Sequence, residues 1–284
     1  MTSPRPISIA CTAIAAVALA CTKKAPPPPA AAAPAVVRIT ATDFAFAAPD
    51  TVPAGVVTVV VVNQGKEPHQ AVILRLAPGK TVADFQAGMR AMAKKPGGPP
   101  PWSGEMGGPN AALPGDSSNA TQVLQPGSYV LVCFIPSTDG MPHVMKGMFR
   151  SLTVSGSPVA APEEPAADIV VTMTDYAYAL SKPVTAGAHT FRVDNAGAQH
   201  HELLLVALAP GKKVKDFYAY AEGGMKGPPP FTRVAGVGGL DAGAHASFSA
   251  TLPAGAYGMV CFLPDVKDGK PHGDHGMLFD FTVN

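Results

Sequence analysis

The chain has 284 residues, enough for two domains that each bury a core. Charged residues make up only 14% and the formal net charge is +1, so nucleic acid and an anionic membrane surface are excluded as electrostatic partners. No P-loop, dinucleotide fingerprint or Ser/His/Asp arrangement occurs, which removes those chemistries as well.

In chain order, residues 1–20 ("MTSPRPISIACTAIAAVALA") carry one Arg, no acid and an apolar run from Ile7 to Ala20. This layout predicts a secretory signal peptide, too short for a comfortable membrane span. The run ends in "ALAC" before Cys21 and resembles a bacterial lipobox, although Ala18 stands where a lipobox usually has Leu or Val. The resemblance implies lipidation of Cys21, hence an exported protein anchored to a membrane in the periplasm or cell envelope. The Pro/Ala-rich residues 21–35 read as an extended spacer. A second such segment, 155–167 ("SGSPVAAPEEPAA"), separates two blocks, 36–154 and 168–284.

The blocks are copies. "TATDFAFAAPDTVPAG" from Thr40 matches "TMTDYAYALSKPVTAG" from Thr172, "LQPGSYVLVCF" from Leu124 matches "LPAGAYGMVCF" from Leu252, and "GMFRSLTV" from Gly147 matches "GMLFDFTV" from Gly276. Two units are too few for a solenoid, so the pattern is a duplicated domain. Within each block, short runs rich in Val, Phe, Tyr and Thr alternate with Gly/Pro/Asn turns, predicting an all-β sandwich or barrel. "KTVADFQAGMRAMAKK" and "KKVKDFYAYAEGGMK" predict one short helix in each middle loop.

Cys11 and Cys21 fall in the leader region, leaving one cysteine per block, Cys133 and Cys261. Two unpaired thiols in an oxidising compartment point to metal ligation. Each is followed by a histidine and a methionine on one Gly/Pro-rich loop, and each block has a histidine after an Asn-x-Gly turn ("NQGKEPH", "NAGAQHH"). With that set, each block resembles a cupredoxin, the Greek-key β-sandwich of blue copper proteins of the plastocyanin and azurin kind, over nearly its full length. The resemblance implies type 1-like copper ligation by His69, Cys133, His143 and Met148 in the first block, and by His201, Cys261, His272 and Met277 in the second. His275 stands as an alternative to His272. The donor types suit copper, because soft sulfur favours Cu(I) and imidazole favours Cu(II).

The loops from cysteine to histidine are longer than in most small blue copper proteins and closer to those of copper nitrite reductases, which share the His-x4-Met ending. Multicopper enzymes of this kind join the blue site to a second copper centre through a histidine beside the cysteine. Here Val132, Phe134, Val260 and Phe262 occupy those places. The expectation is therefore a carrier and not an enzyme: up to one copper per domain, with electrons passing to a redox partner protein over the exposed edge of His143 or His272. Copper storage or trafficking, with Met141 and Met145 flanking His143 and a copper-handling protein as partner, is the alternative, and a metal-free scaffold for cell-surface contacts is a third reading.

Overall fold

A computed structural model of the chain describes Met1 and residues 33–92, 98–157 and 163–284. The expected leader and Cys21 lie outside the described residues, as do most of the 21–35 spacer and the middle of the 155–167 segment. No described helix is long and apolar enough to cross a membrane.

The first half runs β1 (Ala35–Thr42), β2 (Ala45–Ala47), β3 (Thr51–Pro53), β4 (Gly55–Asn63), β5 (Val72–Leu76), α1 (Val82–Met92), β6 (Ser103–Glu105), β7 (Ser117–Leu124), β8 (Gly127–Val132) and β9 (Phe149–Ser155). The second repeats the plan with β10 (Ile169–Thr174), β11 (Ala177–Leu180), β12 (Gly187–Asn195), β13 (His201–Leu208), α2 (Val214–Glu222), β14 (Phe231–Leu240), β15 (His245–Leu252), β16 (Gly255–Val260) and β17 (Leu278–Val283). The fold is all-β with one short helix in the middle loop of each half, as the turn and apolar patterns predict.

Alternation along the strands builds the core. In β8 and just beyond it, Tyr129, Leu131 and Cys133 face one way into a cluster with Val57, Val59 and Val61 of β4. Val130 and Val132 face the other way, onto Phe85 of α1. The second half repeats this: Tyr257, Met259 and Cys261 join Ile169, Val171 and Phe191, while Val260 meets Phe217 of α2. Strand β13 is buried on both faces because α2 covers its outer one, which explains its unbroken apolar run. Each fully buried Val, Leu or Phe contributes about 1.5–3 kcal/mol, so the cysteine-bearing strands sit in the best-anchored part of each half. The Gly-x-Tyr start of β8 and β16 serves the same end, since Tyr129 and Tyr257 donate to the carbonyls of Gln125 and Pro253 at 2.7 and 2.9 Å.

The halves are joined by more than the 155–167 segment. Strands β7 and β15 pair at Thr121 and Ser247, fusing one sheet from each half into eight strands in the order β11-β10-β12-β15-β7-β4-β1-β2. The other sheets remain separate, β3-β9-β8-β5-β6 and β14-β13-β16-β17. A strap from Glu105 to Asn110 then crosses to β14, with Gly107 N donating to Gly239 O at 2.8 Å and Gly238 N to Gly108 O at 2.9 Å. Asn110 Nδ2 reaches the carbonyls of Leu203 and Val237 at 3.3 and 3.1 Å.

Candidate metal centres

Each half brings two histidines and its cysteine together in the interior. His69, Cys133 and His143 form one group and His201, Cys261 and His272 the other, with the donor atoms of each within 4.8 Å of one another. All six side chains are fully buried. Met148 and Met277 are also fully buried, in the same clusters as Cys133 and Cys261.

The loop that returns to each cysteine closes by backbone bonds. Cys133 N donates to Met148 O (3.2 Å), Val144 N to Cys133 O (2.8 Å) and His143 N to Ile135 O (2.9 Å). The extra residues of the long loop form an outward turn, where Ser137 N donates to Met141 O at 3.0 Å. Loop length therefore leaves the distance from cysteine to histidine unaffected. A 3-10 turn at His143–Lys146 ends on Gly147, whose φ of 102° requires glycine; this sets the His-x4-Met spacing. His272–His275 and Gly276 (φ 92°) repeat it.

The Asn-x-Gly turn has a similar physical basis. Asn63 Oδ1 accepts from Gly65 N at 2.8 Å, and Asn63 Nδ2 donates to the carbonyls of Glu67 and Ala112. A Cβ on Gly65 would lie 2.4 Å from Asp43 Oδ1 and 2.5 Å from His69 Nε2. The glycine thus makes room for a carboxylate–imidazole pair. Gly197 does the same for Asp175 and His201.

These carboxylates decide what the imidazoles can do. His69 Nε2 donates to Asp43 Oδ1 (3.1 Å) and His143 Nε2 to Glu67 Oε2 (2.8 Å). Burial holds the His69 pKa below its ordinary value, so the ring is neutral and its Nδ1 carries a lone pair. The two Nδ1 atoms face each other at 3.1 Å, and Cys133 Sγ lies 3.3 Å from His143 Nδ1. Three electron-pair donors converging at this range suit a cation. In the second half His201 Nε2 donates to Asp175 (2.8 Å), the Nδ1 atoms are 3.0 Å apart and Cys261 Sγ is 3.3 Å from His272 Nδ1. Burial, followed by the neighbouring His201, pushes His272 down to about 4. Burial also pushes the Cys133 thiol up to about 12 and Cys261 well above its ordinary value, so without a cation both remain thiols. Each sulfur accepts a backbone N–H, from Gln70 at 3.5 Å and Glu202 at 3.4 Å. Two imidazoles, one thiolate and a methionine at hand are the donor chemistry of copper.

Asp43 and Asp175 escape a search for ligand residue types; their signal is the Asp repeated in "TATDF" and "TMTDY". The next residue is also part of the site. Phe44 and Tyr176 both adopt φ 67°, uncommon for bulky residues, and their rings stand edge-on to His143 and His272 at 5.1 and 5.5 Å. These rings help explain why the expected exposed imidazole edges do not occur, since His143 and His272 are 0% exposed. His275 lies with Asp265 and Asp268, not with Cys261. Met141 is exposed, while Met145 packs beside α1.

The all-β fold and the buried His/Cys/His group in each half are what the resemblance to cupredoxins implies. No protein-family model and no curated protein matches the chain. Among solved structures, the chain is similar to a dithionite-reduced auracyanin from the photosynthetic bacterium Roseiflexus castenholzii (23% identity, 44% of this chain and 100% of that one, TM-score 0.29). It is also similar to a copper-containing nitrite reductase from Thermus scotoductus SA-01 (14% identity, 88% and 61%, TM-score 0.25), and to a blue copper oxidase from Nitrosomonas europaea (15% identity, 89% and 86%, TM-score 0.26).

The latter two are enzymes, and their appearance corrects the expectation that this chain is a carrier and not an enzyme. That expectation rested on the residues flanking each cysteine, and those positions bear only on a catalytic centre bonded through them.

Proposed function

We propose that the chain is an exported copper protein in which residues 36–154 and 168–284 each hold one type 1-like copper and pass single electrons to and from a redox partner protein. The ligands in this reading are His69, Cys133, His143 and Met148, and His201, Cys261, His272 and Met277. Residues 1–20 would direct export and a lipid on Cys21 would anchor the protein to the cell envelope, with 21–35 and 155–167 as connecting segments.

The observation that carries the reading is a pair of imidazole Nδ1 atoms held face to face beside a buried thiol, once in each half. When bound, copper supplies a one-electron couple between Cu(II) and Cu(I). The chain's own residues do the rest. Asp43 and Asp175 fix the tautomers of His69 and His201, Phe44 and Tyr176 screen the sites from water, and the Gln70 and Glu202 amides stabilise charge on sulfur. Ligands held this firmly need little rearrangement when charge changes.

The test is an absorption and electron spin resonance spectrum of the chain from Cys21 onward after Cu(II) addition, beside Cys133→Ser, Cys261→Ser and the double variant. The expected result is an intense visible thiolate-to-copper band lost in two steps. A colourless protein that binds no copper overturns the reading.

A further inference from the structure

Between the two halves, on the side carrying α1 and α2, lies a cleft of about 820 Å³, within the size range of small-molecule sites. Its walls come from both halves: Val72 and Phe134 from the first, Leu204, Phe217, Phe231 and Phe262 from the second. It has a polar feature as well. Glu105, at the start of the interdomain strap, lines the cleft at 3% exposure, and among the described residues its Oε2 has no hydrogen-bond partner. An unpartnered buried carboxylate oxygen is costly, yet the local structure is built around it. Gly239 lies so close that a Cβ there would overlap Oε2, and Glu105 is pinned by backbone bonds to Asp241, its N donating to Oδ1 at 2.8 Å and its O accepting from Asp241 N at 3.0 Å.

The charged side chains that the described residues contribute to the cleft lining are of one sign. Its described lining holds three carboxylates, Glu105, Glu202 and Glu222, and no Lys, Arg or His. Glu202 is already engaged, accepting from Phe262 N at 3.0 Å and Asn110 Nδ2 at 3.2 Å, and Glu222 lies exposed at the rim. The nearby His200 pairs with Asp241 at 2.8 Å. Glu105 is therefore the buried lining carboxylate left incompletely partnered, in a cleft whose aromatic walls also favour a cation.

The geometry points to this cleft as a binding site for a small organic cation, an apolar or aromatic body carrying one ammonium group that pairs with the Glu105 carboxylate.

The test is calorimetric titration of the metal-free full chain with three probes of one shape: naphthylmethylamine as the cation, naphthylmethanol as the neutral analogue and naphthoate as the anion. The amine is expected to bind about tenfold more tightly than the alcohol, the gain of a charged over a neutral donor, with naphthoate weakest. Glu105→Gln should bring the amine down to the level of the alcohol. Ala221→Trp, on the half-buried face of α2 that lines the cleft, should abolish binding of all three. Should Glu105→Gln fail to fold, the ranking of the probes on the wild type and their loss in Ala221→Trp decide the matter. Amine binding no tighter than that of the alcohol overturns the proposal. So does binding indifferent to Glu105→Gln in a variant with an intact unfolding transition, to Ala221→Trp, or absent altogether.

Discussion

Glu67 accepts a 2.8 Å hydrogen bond from Nε2 of the buried His143, and its counterpart in the repeat does not do the same for His272. That counterpart is Gln199, whose Nε2 donates to Asp265 at 2.9 Å. Among the described residues His272 Nε2 has no partner, so the two sites share donors but differ in what stands behind one imidazole.

A carboxylate behind a ligand imidazole makes it more basic and favours the more highly charged metal ion. The first site is therefore expected to have the lower reduction potential. Glu67→Gln should raise that potential by tens of millivolts and leave the other unchanged, which a redox titration following both absorption bands would read. A shift in both potentials, or in neither, counts against the Glu67–His143 bond as the source of the difference.

The Asn-x-Gly turns allow a paired experiment. Gly65→Ala puts a methyl group into the space of Asp43 Oδ1 and His69 Nε2, and Gly197→Ala does the same at Asp175 and His201. Each should weaken copper binding in its own half by about 10–100-fold, the usual effect of disturbing the partner of a ligand imidazole, with a stability loss of about 1–3 kcal/mol. Equilibrium dialysis and thermal unfolding of both variants would check that each effect stays in its half.

Metal loading should release protons. Burial holds the Cys133 thiol up to about 12, so at neutral pH it carries a proton that must leave for the sulfur to bind copper. The direction is the same for Cys261. Burial keeps His69, His201 and His272 below their ordinary values, so these rings are already neutral and have none to give. About one proton per site should be released, and apparent affinity should rise about tenfold per pH unit below the thiol pKa. Calorimetry in buffers of differing ionisation enthalpy measures this; affinity that is flat with pH would contradict a buried thiol as ligand.

Glu105 predicts a pH dependence of folding. Burial raises its pKa to about 7 from an ordinary 4.5, so the folded state holds its proton more tightly than the unfolded chain. Its contribution to stability is fully present below about 4.5 and lost as pH rises through about 7. Glu202 is raised to about 7 by the same cause. The difference in Tm between wild type and Glu105→Gln should thus change across this interval and level off on either side. A difference constant with pH would mean that Glu105 titrates as an exposed carboxylate.

Much of this protein is written in local pattern. The repeated blocks, the alternating strands and the short helix in each middle loop follow from spacing and residue type, because turn chemistry and strand periodicity act over a few residues, whereas the assignment of a histidine and a methionine to each cysteine came with the cupredoxin resemblance. The histidines after the Asn-x-Gly turns were named by the same resemblance, and the repeat preserves their register. What sequence could not determine depends on contacts between distant segments. Asp43 and Asp175 become part of the sites only when β1 lies beside β4 and β10 beside β12. Folding of Phe44 and Tyr176 over His143 and His272 removed the expected exposed edges. The pairing of β7 with β15 and the strap from Glu105 to Asn110 set the halves against each other and opened the cleft between them. Side-chain burial and tautomer are settled by what the whole chain packs around a residue, and so only the tertiary structure decided them.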